Sequence, residues 1–230
     1  MTVPPVNAAF FDLDGTLFDT RRDLAATVNH TRRDLGLADI PVETAIGFVG
    51  QGARNLLERA IPEFAPGSPQ AEGRRAVPYE RLWEIVLSHY AEHCCETLVP
   101  YPGVLETLRE LKERGWALGL NTNKPNFAAR AILAKFGIED LFGDAVVAGG
   151  DCAEMKPSAM PLRECAAKIS HALTQDDWMV GDSWTDMECA ANAGVKGAFC
   201  RFGFGRLRES SFDADVESFP ELLAHLKDHA

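Results

Sequence analysis

The sequence predicts an α/β protein on a parallel sheet, interrupted near its start by an all-helical insert. Three observations carry that reading. The apolar run Ala8–Phe11 stops at Asp12 and reads as a buried first strand. Between Thr20 and Thr97 there is no convincing strand pattern. After Tyr101-Pro102-Gly103, short apolar runs alternate with helical patterns of roughly 10–15 residues, the signature of parallel strands joined by helices.

Each element follows from spacing and punctuation. In the insert, Leu24, Val28 and Leu35 recur at near-helical intervals, then Leu56, Leu57 and Ile61, then Leu82, Ile85, Val86 and Tyr90. Pro41, Pro62, Pro66, Pro69 and Pro78, with Gly67 and Gly73, separate these helices. Residues 1–19 and 98–230 are therefore expected to form the α/β core, and residues 20–97 a helical domain. Val104, Leu105, Leu108 and Leu111 make a helix face that ends by Gly115, and Trp116–Asn121 reads as a strand. Pro125–Phe136 is a helix stopped by Gly137, Asp144–Ala148 a strand and Ser158–Ile169 a helix. Trp178–Gly181 is a strand, Thr185–Ala193 a helix stopped by Gly194, Gly197–Arg201 the last strand and Pro220–Leu226 a closing helix.

Composition narrows the class. The 230 residues are 46% hydrophobic and 25% charged, enough to bury a substantial core. No apolar run approaches the roughly 18 residues of a membrane helix. Met1–Ala9 lacks a basic stretch followed by a long apolar one, so no secretory signal is expected. The six cysteines include no C-x-x-C pair and read as free thiols of a cytoplasmic protein. The net charge of −11 argues against nucleic acid or an anionic membrane as partner. It sits awkwardly with an anionic substrate. A monomer or homodimer is the expected assembly.

Chemistry gathers where the strands end, as it does in parallel sheets. The first strand runs into Asp12-Leu13-Asp14-Gly15-Thr16, and the Trp116 strand into Thr122-Asn123-Lys124. Lys156-Pro157 lies beyond the Asp144 strand. The Trp178 strand ends in Gly181-Asp182-Ser183, with Asp186 one helical turn on. Asp12, Asp14 and Asp182 would converge as hard oxygen donors suited to Mg²⁺. Lys156 and the Thr122 hydroxyl offer a charge and a donor to an anion. Alone, each piece is also a turn or a helix cap. All four in this order point to a site for a metal and a phosphoryl group.

Those motifs resemble the haloacid dehalogenase superfamily. Asp12–Thr20 (DLDGTLFDT), Gly50-Gln51-Gly52 followed by Leu56-Leu57, Tyr101-Pro102-Gly103-Val104, Thr122–Pro125 (TNKP) and Lys156-Pro157 with Pro161-Leu162 are similar to its phosphoglycolate phosphatase-like branch. The resemblance implies a Rossmann-like core with an inserted helical cap and a Mg²⁺-dependent phosphomonoesterase acting on a small-molecule phosphate ester. It implies Asp12 as nucleophile and Asp14 as acid and base. Asp12, the Asp14 carbonyl oxygen and Asp182 would hold the metal. Thr122, Asn123 and Lys156 would bind the phosphoryl group, with Asp186 and Ser183 behind them. Gln51 and Arg54 are the candidates for substrate contact from the cap. The substrate implied is 2-phosphoglycolate, with a sugar phosphate of the N-acetylmuramate 6-phosphate type as the alternative. Asp14 favours phosphoryl transfer over carbon–halogen cleavage, which needs no acid at that position. A β-phosphoglucomutase-like isomerase is disfavoured because the insert contains no lysine.

Other signals carry less. Gly47, Gly50 and Gly52 resemble a phosphate-binding loop, but no strand precedes them. His89 and His93, at i and i+4 beside Cys94 and Cys95, invite a zinc site; without a distant ligand pair, they read as one side of an amphipathic helix. Gly203 and Gly205 with Arg201, Arg206 and Arg208 read as a solvated basic turn, or as a border of the site mouth. The insert carries 9 arginines against 11 carboxylates, a net −2, which leaves −9 for the remainder. Acidity concentrated there predicts that anion binding depends on a metal.

Overall fold

A computed structural model describes residues 7–49, 52–64 and 78–226. The chain divides into two compact units, Met1–Asp19 with Val99–Ala230, and Thr20–Leu98.

The first unit begins with β1 (Ala8–Phe11), all of it buried, and a two-residue strand β2 (Phe18–Asp19). The second unit contains α1 (Arg21–Asp34), α2 (Val42–Ile46), α3 (Gly52–Ala60) and α4 (Tyr79–His93). The first unit resumes with β3 (Val99–Pro100), α5 (Val104–Glu113), β4 (Ala117–Pro125), α6 (Asn126–Phe136), α7 (Glu139–Phe142) and β5 (Val146–Gly149). It continues through α8 (Met160–Lys168), β6 (Trp178–Gly181), α9 (Trp184–Ala193), β7 (Lys196–Cys200), β8 (Ala214–Val216) and α10 (Leu222–His225).

Six strands form one sheet in the order β5-β4-β1-β6-β7-β8, and every pairing is parallel. β1 is central because all four of its residues are apolar and both faces are covered. Phe10 points into a cluster with Met179, Leu162 and Cys165 of α8 and Cys189 of α9. Its neighbour Phe11 points the other way, to Phe142 at 6.5 Å and Phe219 at 5.9 Å between ring centroids. The chain leaves β1 for β4 and β5 on one side and returns for β6, β7 and β8 on the other. That reversal opens a crevice beyond the carboxyl ends of β4, β1 and β6. At the opposite end, buried Asp177 closes the sheet. Its carboxylate accepts from the Ala8 N–H at 2.9 Å and the Thr174 N–H at 2.7 Å, and pairs with His171 at 2.8 Å.

Five short elements, β2, α2, β3, α7 and β8, escape the sequence pattern. β8 has only three residues, of which Asp215 faces solvent, so its alternation is too short to register. α7 is a single turn, and the antiparallel pair β2–β3 has two residues a side. β4 also runs on to Pro125, past the expected end at Asn121, with an irregularity between those residues.

In the helical unit, buried polar residues tie ends together. Asp23 on α1 accepts from the Thr97 N–H at 2.8 Å and the Leu98 N–H at 3.0 Å. Arg32 donates to the Ala38 and Ala60 carbonyls and pairs with Glu63. Among the described residues this unit holds no strand. Among the described residues no helix is long and apolar enough to cross a membrane, and none of the six cysteines is in a disulfide.

Candidate active site

Asp12 follows β1 directly, its N–H donating to the Val180 carbonyl at 2.9 Å, so its carboxylate stands at the sheet's carboxyl edge beside β6. The next residues turn sharply. Gly15 adopts φ +82°, which a side chain resists, and a Cβ there would strike the Asp182 carboxylate. The Asp-Gly pair is thus a turn and a close approach at once.

The structure brings Asp12, Asp182, Asp186 and Lys156 together. Oxygens from the three carboxylates lie within 4.8 Å of one another. Lys156 Nζ sits 2.8 Å from Asp12 Oδ1 and 2.6 Å from Asp186 Oδ1, its side chain only 1% exposed. Asp186 is fully engaged, since its Oδ2 accepts from the Ser183 N–H at 3.0 Å and hydroxyl at 2.6 Å. Ser183 and Asp186 form the capping box of α9, so the helix start fixes the position of the carboxylate. Asn123 braces Lys156 through its backbone, accepting from the Lys156 N–H at 2.9 Å and donating to the Lys156 carbonyl at 3.0 Å. Thr122 is buried alongside, its hydroxyl accepting from the Lys124 N–H at 3.2 Å.

Asp14 carries its own cation. Lys124 Nζ lies 2.9 Å from Asp14 Oδ1, with the lysine side chain 1% exposed. Sequence reasoning passed over Lys124, because ending the strand at Asn121 put it in a loop. The strand runs on to Pro125, so Lys124 lies within it.

The loop after β7 also belongs to the site. Phe204 and Gly205 donate their N–H groups to Asp182 Oδ2 at 2.9 and 2.7 Å. Two of its arginines are engaged elsewhere: Arg201 pairs with Asp215, and Arg208 lies over the Trp184 ring at 3.9 Å. What the turn brings to Asp182 is backbone donors. Gly205 and Gly203 both pack on Asp182 where a Cβ would collide with it. Of the cap candidates, Gln51 and the side chain of Arg54 lie outside the described residues.

Electrostatics fit a cation. Burial, reinforced by Asp186 and Asp14 and opposed by Lys156, pushes the Asp12 carboxyl up to about 6. Burial, with Asp186 and Asp12, holds Asp182 well above the carboxylate range, against the two N–H donors. Asp12 and Asp186 raise Lys156 above its ordinary value despite burial, so it stays charged. Four carboxylates face two ammonium groups, a formal deficit of two positive charges that one divalent cation would fill. The hydrogen bonds to Asp12 and Asp182 engage one oxygen of each among the described residues, which leaves a hard donor from both.

Known proteins resemble the chain over most of its length. The family model for haloacid dehalogenase-like hydrolases matches residues 9–200. A phosphoglycolate phosphatase of Agrobacterium fabrum is 35% identical, covering 94% of this chain and 90% of the relative. One from Cereibacter sphaeroides is 36% identical, covering 94% and 97%. A crystal structure from Haemophilus somnus, described as a predicted phosphoglycolate phosphatase, superposes with a TM-score of 0.83 at 28% identity, covering 96% and 97%.

Proposed function

The chain belongs to the haloacid dehalogenase-like hydrolases and is a phosphatase, and on that premise we propose that it hydrolyses 2-phosphoglycolate through a phosphorylated Asp12. The observation that carries the mechanism is the pair of carboxylates each held by its own buried lysine, Asp12 by Lys156 and Asp14 by Lys124. One carboxylate lies inside the acidic cluster and the other beside it, which suits a division between nucleophile and proton carrier.

Asp12 attacks phosphorus through a carboxylate oxygen, and the acyl phosphate forms as the ester P–O bond to the alkoxide breaks. Asp14 gives a proton to the departing alkoxide, then takes one from the water that cleaves the acyl phosphate. A carboxylate meeting a phosphate dianion at 4 Å faces repulsion of about 8 kcal/mol at an effective dielectric near 20. Lys156 offsets part of this, and Mg²⁺ held by Asp12, the Asp14 carbonyl and Asp182 would supply the remaining charge neutralisation when bound. Thr122 and Asn123 border the position of the non-bridging oxygens. Asp186 fixes Lys156, and the Phe204 and Gly205 N–H groups fix Asp182.

The substrate rests on the two relatives named for it at 35–36% identity over nearly the whole chain. The helical unit, Gln51 and Arg54 included, is its cap in this reading. A panel of phosphate esters compared by kcat/KM with Mg²⁺ tests it. 2-Phosphoglycolate is expected to lead; a rank behind sugar phosphates would overturn the substrate while leaving the phosphatase chemistry intact.

A further inference from the structure

The helical unit gathers a second set of metal-binding side chains of its own. His89 and His93 share one side of α4, and α1 brings His30 against them. Ring nitrogens from all three lie within 4.8 Å of one another. The i, i+4 pair lacked a partner in sequence because the third histidine comes from an earlier helix, where no short spacing motif announces it.

We propose that His30, His89 and His93 form a binding site for a divalent transition metal of the zinc class, joining α1 to α4. Two carboxylates orient the ligands. Asp34 Oδ2 lies 2.8 Å from His89 Nε2, and Glu96 Oε1 lies 2.9 Å from His93 Nδ1. Each contact places the ring proton on the carboxylate side and turns the other nitrogen into a lone-pair donor, the outer support that metal-bound histidines use. The free nitrogen of His89, Nδ1, is buried and has no hydrogen-bond partner. A buried acceptor without a donor is what a bound cation would satisfy. His93 Nε2 has Glu92 at 3.8 Å, beyond hydrogen-bond range.

The three rings pack together, with centroids 4.1 Å apart for His30–His93, 5.4 Å for His30–His89 and 5.9 Å for His89–His93. Burial, the neighbouring His93, Arg33 and His89 hold His30 below the ordinary imidazole range, with Glu96 opposing. Neutral imidazole is the ligand form. Imidazole selects zinc-like ions, while Mg²⁺ prefers oxygen. The two units would therefore sort metals by donor chemistry. Tetrahedral bonds of about 2.0–2.1 Å set ligand nitrogens about 3.3 Å apart, so ring rotation must draw them inward. Three protein ligands leave a fourth position for water.

The test uses the full chain, stripped of metal and titrated with Zn²⁺ in excess Mg²⁺ to occupy the carboxylate cluster. One equivalent of Zn²⁺ is expected to bind and to raise Tm, with affinity reduced at least tenfold in each of His30→Gln, His89→Gln and His93→Gln. Asp182→Asn should retain the equivalent. The Mg²⁺-dependent phosphatase activity of His30→Gln should stay within twofold of wild type. X-ray absorption of the Zn²⁺-loaded wild type, which needs no folded variant, should show imidazole scattering from three nitrogens. No Zn²⁺ uptake in excess Mg²⁺, retention in the histidine variants, loss confined to Asp182→Asn, or oxygen-only scattering would overturn the site.

Discussion

Replacing Lys156 with methionine keeps the aliphatic volume and deletes a charge that two buried carboxylates share. Nζ lies 2.8 Å from Asp12 and 2.6 Å from Asp186, and the Asp186 side chain is 0% exposed. Breaking one buried ion pair usually costs about 3–5 kcal/mol, because the survivor is stranded. Two survivors do not double the figure here. Burial pushes the Asp12 carboxyl up to about 6 even beside Lys156, and it rises further without that lysine, so at pH 7 it takes up a proton for at most about 1.4 kcal/mol. The penalty then falls mainly on Asp186, whose other oxygen keeps both Ser183 donors. The expected loss is about 3–4 kcal/mol, a large part of a typical 5–15 kcal/mol stability. Urea unfolding of the metal-free protein at pH 7 measures it. Lys156→Met/Asp186→Asn should recover about 2 kcal/mol of the single-variant loss, since the stranded charge goes with its partner. With Mg²⁺ present, kcat of Lys156→Met should still fall by about 10²–10³. A single variant within about 1 kcal/mol of wild type, or strict additivity in the pair, would refute the shared-charge reasoning.

Gly205→Ala places a Cβ 2.5 Å from the Asp182 carbonyl oxygen and 2.9 Å from its Oδ1. It should cost about 1–3 kcal/mol in unfolding and raise the Mg²⁺ concentration for half-maximal activity several-fold. Because Asp12 holds its proton below about pH 6, proton and cation compete there. Activity should fall as pH drops through that value, and saturating Mg²⁺ should move the acid limb downward; a limb indifferent to Mg²⁺ would contradict this. Asp177→Ala strands the Ala8 N–H and the His171 ring at the far end of the sheet. It should lose about 2–3 kcal/mol by urea unfolding, while kcat per folded molecule is unchanged.

The parallel sheet was legible because β1, β6 and the start of β4 are continuous apolar runs that stop at polar residues. Those same stops located Asp12, Thr122 and Asp182. Lys124 was hidden by a boundary: a strand ended at Asn121 instead of Pro125 turns a strand lysine into a loop lysine. The turn at Gly203 and Gly205 was legible as a border of the site mouth, but the Phe204 and Gly205 donors were not, because no side-chain pattern reports backbone N–H groups. His30 lay among ordinary helix residues, and only the packing of α1 on α4 gives it company. Local chemistry is written in spacing. Partners brought from distant segments are not.

The central claim is that Asp12 carries the phosphoryl group. Asp14→Asn removes the proton carrier, but p-nitrophenyl phosphate has a leaving group that needs no acid. Phosphorylation should then proceed while hydrolysis of the intermediate, which needs the base, stalls. Acid-quenching that variant with Mg²⁺ and p-nitrophenyl phosphate, followed by peptide mass spectrometry, reads the outcome. The account predicts one phosphoryl group on Asp12, absent when Asp12→Asn is added. A phosphoryl group on another residue, or undiminished turnover with none on Asp12, would contradict it.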